Sequence, residues 1–361
     1  MRKRNQAVAG SATGRLGVPD PAGWIVDRVV HFEFGGDVVR EGLAHFGFHD
    51  RQGRYFAVEH RRHWIGLVGA DGHLAWTAAA EPPFQGVPNI PAPLRFPMYV
   101  DVAADGAVLV SNFRSAELYC IDPAAMTARL LVDGHALGLA DMGNCVVDDE
   151  NGIWVNEVTG CRIWRFDAAG CLRETLGDGT PGFQQDTVPF AEARFHWIYD
   201  LRRGPDGTLY VLDSRNFAVR SIDAARRHVG TIAGDGLPGY AGDGGDARRA
   251  RLGGSPEAKF DGPISLAVDE GGDVFVGDRW NHVVRRIDRA SGVIDTIAGT
   301  PETADERAND PAERDPRRLN LPKISSMDYH DGRLFVPTNL TDDAGDLAVL
   351  RRRPVARSRP A

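Results

Sequence analysis

The sequence lacks the patterns that mark nucleic-acid-binding, membrane-spanning or disulfide-linked proteins. Its 361 residues hold 42 lysines and arginines against 50 aspartates and glutamates, a net charge of -8, whereas nucleic-acid-binding domains carry an excess of basic residues. No stretch approaches the roughly 18 apolar residues of a membrane helix. The four cysteines form no Cys-x-x-Cys pair, so the usual zinc and redox spacings are absent. We therefore expect neither nucleic acid nor membrane as a partner.

The two ends of the chain read as tails. The basic opening Met1 to Arg4 is followed by small and polar residues instead of the apolar core of a signal peptide. We expect residues 1–20 to be a flexible tail of a cytoplasmic protein and residues 355–361 to be a second tail. Cys161 and Cys171 could face each other across a hairpin, but reduced strand cysteines suit that compartment better.

What the sequence does contain is a repeated unit, seen best between Gly262 and Gly299. Four short runs rich in valine and isoleucine alternate with turn residues such as the Glu-Gly-Gly of 270–272. Apolar runs of this length, bounded by glycine, aspartate and asparagine, predict a four-stranded antiparallel meander.

Six copies of this unit follow one another along the chain. They align on the glycine of the first hairpin in each copy: Gly53, Gly106, Gly152, Gly207, Gly272 and Gly332. Five of these glycines follow Asp, Asn or Gly, residue pairs that accept the positive φ angles of tight hairpins. Because one meander cannot bury both faces alone, the six predict an all-β fold with blades around a common axis.

The sixth unit lacks a fourth strand of its own. It ends in Arg352, Arg353 and Pro354 after three apolar runs, whereas residues 24–34 have strand composition and belong to no unit. We expect residues 24–34 to pair into the last blade and remove its open edge. The sequence thus predicts one domain over residues 21–354, a six-bladed β-propeller of four-stranded antiparallel blades closed by an N-terminal strand.

Residues 233–247 and 263–299 resemble the NHL-repeat propellers of bacteria. The motif Gly234-Asp-Gly-Leu-Pro-Gly-Tyr240 has an echo at Gly177-Asp-Gly-Thr-Pro-Gly-Phe183. The resemblance implies the propeller fold but no single activity, since enzymes, sensors and scaffolds share it.

A functional site is expected at one end of the central channel, where the first strands of the six blades begin. Counting back eight residues from each hairpin glycine gives His45, Met98, Asn144, Tyr199, Ile264 and Ile324. This register is a neighbourhood, because an insertion shifts it by one or two residues.

A more distant resemblance, to gluconolactonase-type propellers, implies an axial metal ion. Arg40-Glu41-Gly42 and Gly143-Asn144 resemble two of the ligand positions in that family, and Asp261 is a third candidate. Oxygen ligands from Glu41, Asn144 and Asp261 would hold calcium or zinc, which polarises a carbonyl and activates water. In the alternative interpretation, Glu41 and Asn144 only cap strand starts. No nucleotide or organic cofactor is indicated.

Amidating lyases, which the sequence also resembles distantly, hold zinc through three axial histidines. Here His45 and His196 lie on blades that face each other across the ring, and no third histidine has a matching position. Acid–base catalysis by His45, His196 and Tyr199 without a metal is a further alternative.

The loops after the second strands are expected to supply the substrate contacts. Glu59, His60, Asn112 and Arg114 depart from the repeat pattern, and Trp197 adds an aromatic surface beside the channel. We predict that these five residues bind a small-molecule substrate.

Other polar residues in the repeats are expected to be structural. Asp213, Asn216, Asp278 and Asn281 follow the repeat pattern, in which side chains bond the backbone of their own turn. The proline-rich connector 81–93 is unusually long and is predicted to form a lid over the axial end.

These features together favour a small-molecule enzyme of hydrolase, lactonase or lyase type, assisted by a metal. The alternative is a propeller that binds a ligand or a protein without catalysis, which the apolar Met98, Ile264 and Ile324 favour.

Overall fold

A computed structural model describes residues 23–33, 46–254, 262–301, 307–340 and 344–353. The expected tails, residues 1–20 and 355–361, lie outside these ranges. Within them, six small sheets form a six-bladed β-propeller, as predicted. No helix in the described ranges combines the length and apolar character needed to cross a membrane.

The strands follow chain order, blade by blade. β1 (Trp24–Glu33) comes first. Blade 1 contains β2 (Phe46–His49), β3 (Tyr55–Glu59), β4 (Trp64–Val68), β5 (Leu74–Ala79) and β6 (Asn89–Pro91). Blade 2 contains β7 (Pro97–Val102), β8 (Val108–Asn112), β9 (Glu117–Asp122) and β10 (Thr127–Asp133), followed by the short helix α1 (Gly134–Leu137). Blade 3 contains β11 (Cys145–Val147), β12 (Ile153–Asn156), β13 (Ile163–Phe166) and β14 (Leu172–Leu176).

The second half of the chain repeats the arrangement. Blade 4 contains β15 (Val188–Pro189), β16 (Ile198–Arg203), β17 (Leu209–Asp213), β18 (Ala218–Asp223) and β19 (His228–Ala233). Blade 5 contains β20 (Gly245–Asp246), β21 (Ser265–Val268), β22 (Val274–Asp278), β23 (Val283–Ile287) and β24 (Val293–Gly299). Blade 6 contains β25 (Asp328–His330), β26 (Arg333–Asn339) and β27 (Ala344–Arg352). Single 3₁₀ turns lie at Phe190–Glu192, Ser214–Asn216, Ala247–Arg249 and Pro316–Arg318.

Strand β1 closes the ring in the way the sequence predicts. It pairs antiparallel with β27, so that Trp24 lies opposite Arg352 and Glu33 lies opposite Ala344. The Asp27 carboxylate accepts a hydrogen bond from Arg351 Nε at 2.7 Å and reinforces the pairing. The last blade thereby gains its fourth strand, and its edge is covered.

One strand of each blade lies innermost, and these six strands surround the channel. These strands are β2, β7, β11, β16, β21 and β25; each contacts the next, and β25 contacts β2. Residues at the beginnings of these strands therefore meet at one end of the channel, and residues at their ends meet at the other.

Three blades have five strands, which corrects the expectation of four in each. β15 and β20 are two-residue strands that add to the outer edges of blades 4 and 5. β6 runs parallel to β5 at the outer edge of blade 1 and belongs to the proline-rich connector. The predicted lid is therefore wrong, because backbone hydrogen bonds hold Thr77 to Pro88 and Ala92 to Ala79 at the blade edge, away from the axis.

The hairpin glycines take the backbone conformation that the turns require. Five of the six have φ between 73° and 90°, in the left-handed region. In blade 3 the left-handed residue is not Gly152 but the residue before it, Asn151, with φ 59°. Asparagine tolerates this region better than other residues with a side chain, so the turn forms one position earlier.

The apolar core lies between neighbouring blades. Between blades 3 and 4, for example, Trp154, Phe195 and Ile222 are buried in one cluster, and Phe275 and Leu350 belong to the cluster that joins blade 5 to blade 6. Each such side chain contributes about 1.5–3 kcal/mol through burial, so the stacking of the blades stabilises the ring.

Buried aspartates hold the turns of blades 4 and 5, as expected of the repeat. Asp213 is fully buried and accepts hydrogen bonds from Asn216 Nδ2 at 2.8 Å and Arg220 Nη1 at 3.1 Å. Asp278 accepts in the same way from Asn281 Nδ2 at 2.9 Å and from the Gly253 N–H at 3.0 Å. Both carboxylates are fully buried and thus serve the fold.

Candidate functional site

A cavity of about 500 Å³ occupies the end of the channel where the innermost strands begin. We call it the axial cavity. Its lining comes from all six blades: Phe48, His60 and Arg61 of blade 1, Phe96, Met98, Phe113 and Arg114 of blade 2, Asn144, Val158 and Thr159 of blade 3, Trp197, Tyr199, Asp200 and Arg202 of blade 4, Ile264 and Arg279 of blade 5, and Ser325, Ser326 and Asn339 of blade 6.

The floor of the axial cavity is a buried ion pair on the innermost strand of blade 4. Arg202 Nε lies 3.0 Å from Asp200 Oδ1, and both side chains are nearly inaccessible. Asp200 also accepts hydrogen bonds from Asn144 Nδ2 and from the Leu266 N–H. Burial alone would lower the pKa of Arg202, but the Asp200 carboxylate, together with Tyr99 and Asp328, more than offsets it and holds the pKa above its ordinary value. The Arg202 guanidinium is therefore protonated, and the Asp200 carboxylate balances its positive charge.

Aromatic rings hold the same guanidinium in place. Arg202 lies 4.8 Å from the ring centre of Phe48 and 4.6 Å from that of Tyr99, and its Nη1 donates to Tyr99 Oη at 2.7 Å. Arginine stacks favourably on aromatic faces. The cluster separates the axial cavity from a second cavity on the other side, because Arg202 lines both.

Two aromatic residues enter the axial cavity from an uncommon backbone conformation. Phe96 has φ 55° and Trp197 has φ 58°, and both stand just ahead of the innermost strand of their blade. The strand pairing shifts directly afterwards, at Met98 and at Tyr199. Such bulges turn side chains to a new direction, and left-handed residues with large side chains cluster at functional sites.

Each of these two rings carries an arginine from the neighbouring loop. The Arg114 guanidinium lies 3.9 Å from the ring centre of Phe96, and the Arg215 guanidinium lies 4.5 Å from that of Trp197. Blades 2 and 4 thus repeat one device, an arginine stacked on an aromatic ring at the rim of the channel. Arg114 also lines the cavity, whereas Arg215 lies behind Trp197.

His60 is the imidazole of the axial cavity. Burial lowers its pKa to about 4, and the positive charges of Arg61, His63 and Arg114 act in the same direction. At pH 7 the ring is neutral and can accept a proton or a hydrogen bond. The Tyr199 phenol is neutral as well, because burial raises its pKa although Arg279 opposes the shift.

The structure brings five of the predicted site residues together. His60, Arg114, Asn144, Trp197 and Tyr199 line the axial cavity. The roles assigned to them stay predictions, because no ligand or measured activity bears on them.

Three other predicted residues lie away from the axial cavity. Asn112 is fully buried in β8, and its amide donates to Glu117 Oε2 at 3.4 Å. Glu59 ends β3 opposite Trp64, and the half-buried His196 donates its backbone N–H to Asp213 at 2.7 Å. Glu41, His45 and Asp261 lie outside the described residues.

Sequence reasoning missed three charged residues of the axial cavity, Asp200, Arg202 and Arg279. Arg279 follows Asp278 in a repeat segment that looks structural, and Asp200 and Arg202 alternate along an inner strand. The alternation itself was a signal, since residues two apart share one face of a strand.

The described part of the axial cavity does not fit a divalent cation. In the described ranges no three His, Cys, Asp or Glu side chains cluster in a way that could hold a metal ion. Asp200, which could bind one, is engaged by Arg202 and Asn144. The predicted calcium or zinc site therefore depends on Glu41 and Asp261 and stays a prediction.

A second cavity, of about 460 Å³, lies where the innermost strands end. We call it the opposite cavity. Two histidines, His49 and His330, and three arginines line it. It is also lined by five acidic residues: Asp50, Asp101, Asp269, Glu270 and Asp328. Asp328 Oδ2 lies 2.6 Å from His49 Nδ1, and the rings of His49 and His330 stack at 4.3 Å.

Comparison with known proteins supports the repeat assignment. The family model of the NHL repeat matches residues 260–287, within a structure that forms a six-bladed propeller. A curated relative, the protein SUPPRESSOR OF QUENCHING 1, chloroplastic, of Arabidopsis thaliana, is 28% identical over 182 residues, 46% of this chain. The match covers only 16% of that relative.

Solved structures with the same fold have diverse functions. An auxiliary nutrient binding protein from Bacteroides ovatus superposes with a TM-score of 0.61 at 14% identity, over 91% of this chain and 77% of that one. Virginiamycin B lyase from Staphylococcus aureus superposes with a TM-score of 0.52 at 12% identity, over 89% of this chain and 98% of that one. At these identities the likeness concerns the fold alone, and the function has to be argued from the site.

Proposed function

We propose that this protein is an enzyme that acts on a small molecule in the axial cavity, of hydrolase or lyase type. The observation that carries the proposal is a neutral imidazole, His60, surrounded by guanidinium groups and a neutral phenol in one partly enclosed pocket. Ligand pockets with a few convergent polar groups and a perturbed pKa are typical of active sites.

The residues suit a reaction in which a proton leaves water or a carbon atom next to a carbonyl. His60 accepts that proton, and the guanidinium groups of Arg61, Arg114 and Arg279 stabilise the negative charge that develops on oxygen. The Tyr199 phenol donates a hydrogen bond to a substrate oxygen. His60 thus takes the role of base that the sequence suggested for His45 and His196, of which His196 lies outside the cavity lining.

The metal-assisted form of the reaction is a separate proposal. It requires Glu41 and Asp261 beside Asn144, and elemental analysis of protein purified without a chelator tests it. Stoichiometric zinc or calcium that is lost in Glu41→Ala would support the metal site, and its absence from the wild-type protein would contradict it.

A turnover screen tests the enzymatic proposal. Lactones, esters and eliminable β-substituted acids are offered to the wild-type protein, His60→Asn and Tyr199→Phe. We expect kcat of any substrate found to fall by about 10²–10⁴ in His60→Asn, the usual contribution of a general base. The control is His73→Asn, because His73 is exposed on the β4–β5 hairpin. Equal turnover in His60→Asn and His73→Asn would contradict the assignment.

Ligand binding without catalysis is the second candidate. The apolar Met98 and Ile264 in the cavity wall favour it, and one relative by fold is named a nutrient binding protein. Saturable binding of a ligand that is recovered unchanged would support this function. A protein partner on the propeller and the cytoplasmic location stay predictions; the curated relative is itself named as chloroplastic.

A further inference from the structure

Two guanidinium groups of the axial cavity are left without an acceptor by the described protein chain. Arg114 stacks on Phe96 and has no hydrogen bond or ion pair through its side chain among the described residues. In blade 5, the Arg279 side chain likewise has no hydrogen bond or ion pair among the described residues, and the Tyr199 phenol is near it. Burial lowers the pKa of Arg279, although Tyr199 opposes the shift.

The remaining charges of the axial cavity do not compensate these two. Four arginines line it, and within the described residues one carboxylate does so, that of Asp200. This carboxylate is held by Arg202 at 3.0 Å. Arg114 is exposed and Arg279 is half-buried, so a molecule in the pocket can reach both guanidinium groups, and such groups in a pocket favour an anionic oxygen ligand.

The lining of the axial cavity also contains apolar surface that a ligand would contact. The rings of Phe96, Phe113 and Trp197 form part of the wall, and Phe96 lies against Arg114. A ligand with a planar apolar part and a charged oxygen group would contact both kinds of surface, because arginine binds carboxylate and phosphate in a planar, two-pronged geometry.

We propose that the axial cavity binds a small organic oxyanion, a carboxylate or a phosphate ester, whose charge lies against Arg114 and Arg279 and whose apolar part lies against the aromatic wall. This oxyanion is the substrate class for the proposed function, and the choice of the axial cavity rests on that proposed function. Arg114 and Arg279 belong to blades 2 and 5, which lie across the ring from each other, so the positive potential comes from two sides.

Titration calorimetry with three probes of similar shape tests the proposal. Benzoate, phenyl phosphate and the neutral benzamide are titrated into the wild-type protein, Arg114→Gln, Arg279→Gln and Arg226→Gln. The last variant removes an equal charge from an exposed outer loop, where the Arg226 side chain is 83% accessible. Circular dichroism and thermal unfolding confirm that each variant is folded.

We expect an anion to bind the wild-type protein and Arg226→Gln equally, and to bind each cavity variant at least about tenfold more weakly. Tighter binding of benzoate assigns a carboxylate, and tighter binding of phenyl phosphate assigns a phosphate ester. Benzamide binding as tight as benzoate binding, or no binding of either anion, would overturn the proposal.

Different outcomes would contradict the enzymatic proposal and the oxyanion proposal. If the anions bind through Arg114 and Arg279 and no substrate of the turnover screen is converted, the oxyanion class stands and catalysis does not. If a neutral substrate is converted and its KM is unchanged in Arg279→Gln, catalysis stands and the oxyanion class is refuted.

Discussion

The two ends of the channel both collect charged side chains, but among the described residues two guanidinium groups at the axial end have no hydrogen-bond or ion-pair partner. At the opposite cavity, Asp101 accepts backbone hydrogen bonds from Val102 and Val147, both at 2.7 Å. Asp328 accepts from the backbone and the ring of His49. At the axial cavity, Arg114 and Arg279 have no such partners among the described residues.

The difference separates charges that build the fold from charges that await a ligand. A carboxylate that bonds the backbone of the next blade stabilises the ring, and its loss leaves buried N–H groups unpaired. A guanidinium that faces a pocket without a partner contributes little to stability and much to recognition of an anion. Five predictions follow from this comparison, from the largest expected effect to the smallest.

The largest effect is expected at Arg202, which lines both cavities. Arg202→Met leaves the Asp200 carboxylate buried without its cation, which costs about 3–5 kcal/mol of unfolding free energy. The double variant Asp200→Asn, Arg202→Met removes both charges and should recover much of that loss. Urea unfolding followed by tryptophan fluorescence measures the two values. Equal stability of Arg202→Met and the wild-type protein would contradict the role of the ion pair.

A smaller loss of stability is expected at the opposite cavity. Asp101→Ala leaves the N–H groups of Val102 and Val147 without their acceptor, so the unfolding free energy should fall by about 1–3 kcal/mol. Benzoate affinity should stay unchanged, because Asp101 faces the other cavity. Urea unfolding and calorimetry give the two quantities. A variant of full stability with lost benzoate binding would reverse the comparison.

The pH dependence of stability reports the burial of His60 and, to a smaller extent, the positive charges around it. Its pKa is about 4 in the folded protein against an ordinary 6.5, so between these values the unfolded chain binds a proton that the folded protein excludes. Stability is therefore lost as the pH falls from about 6.5 towards 4, by about 1–2 kcal/mol at pH 5. His60→Asn should reduce this loss, as measured by urea unfolding at pH 7 and pH 5.

A bound anion should act against this shift. Because benzoate offsets the charge of Arg114, it should raise the pKa of His60, which a histidine-resolved NMR titration detects. An unchanged His60 pKa with bound benzoate would place the anion elsewhere.

The smallest effect on stability is expected at Arg279. Arg279→Gln removes a half-buried charge that has no ion-pair partner among the described residues, so the unfolding free energy should change by no more than about 0.5 kcal/mol. Thermal unfolding measures the change against Arg226→Gln. A loss of several kcal/mol would show that Arg279 supports the fold and would weaken the comparison between the two cavities.

Much of the fold was predictable because its signals are local. The hairpin glycines mark the six blades, and the unmatched strand at Trp24 supplies the edge that blade 6 lacks. The fifth strands were not predictable in this way. β15 and β20 are two residues long and have no alternation, and the connector at Asn89–Pro91 pairs with a blade edge whose position depends on the whole ring.

The candidate site was predictable as a neighbourhood and not residue by residue. His60 and Arg114 were found because they break the repeat pattern, and both line the axial cavity. Asn112 breaks the pattern as well, but it points into the blade and bonds Glu117. Arg279 conforms to the repeat and nevertheless reaches the cavity.

The number of blades, their hairpins and the closing strand can be inferred from the sequence alone, since these depend on local turn chemistry and on alternation along each strand. Which polar side chains reach the axis depends on the packing of the whole ring. The bulges at Met98 and Tyr199 and the left-handed Phe96 and Trp197 redirect the side chains of the inner strands. A shift of one residue reverses the face of a strand, and the positions of such shifts follow from the packing of neighbouring blades.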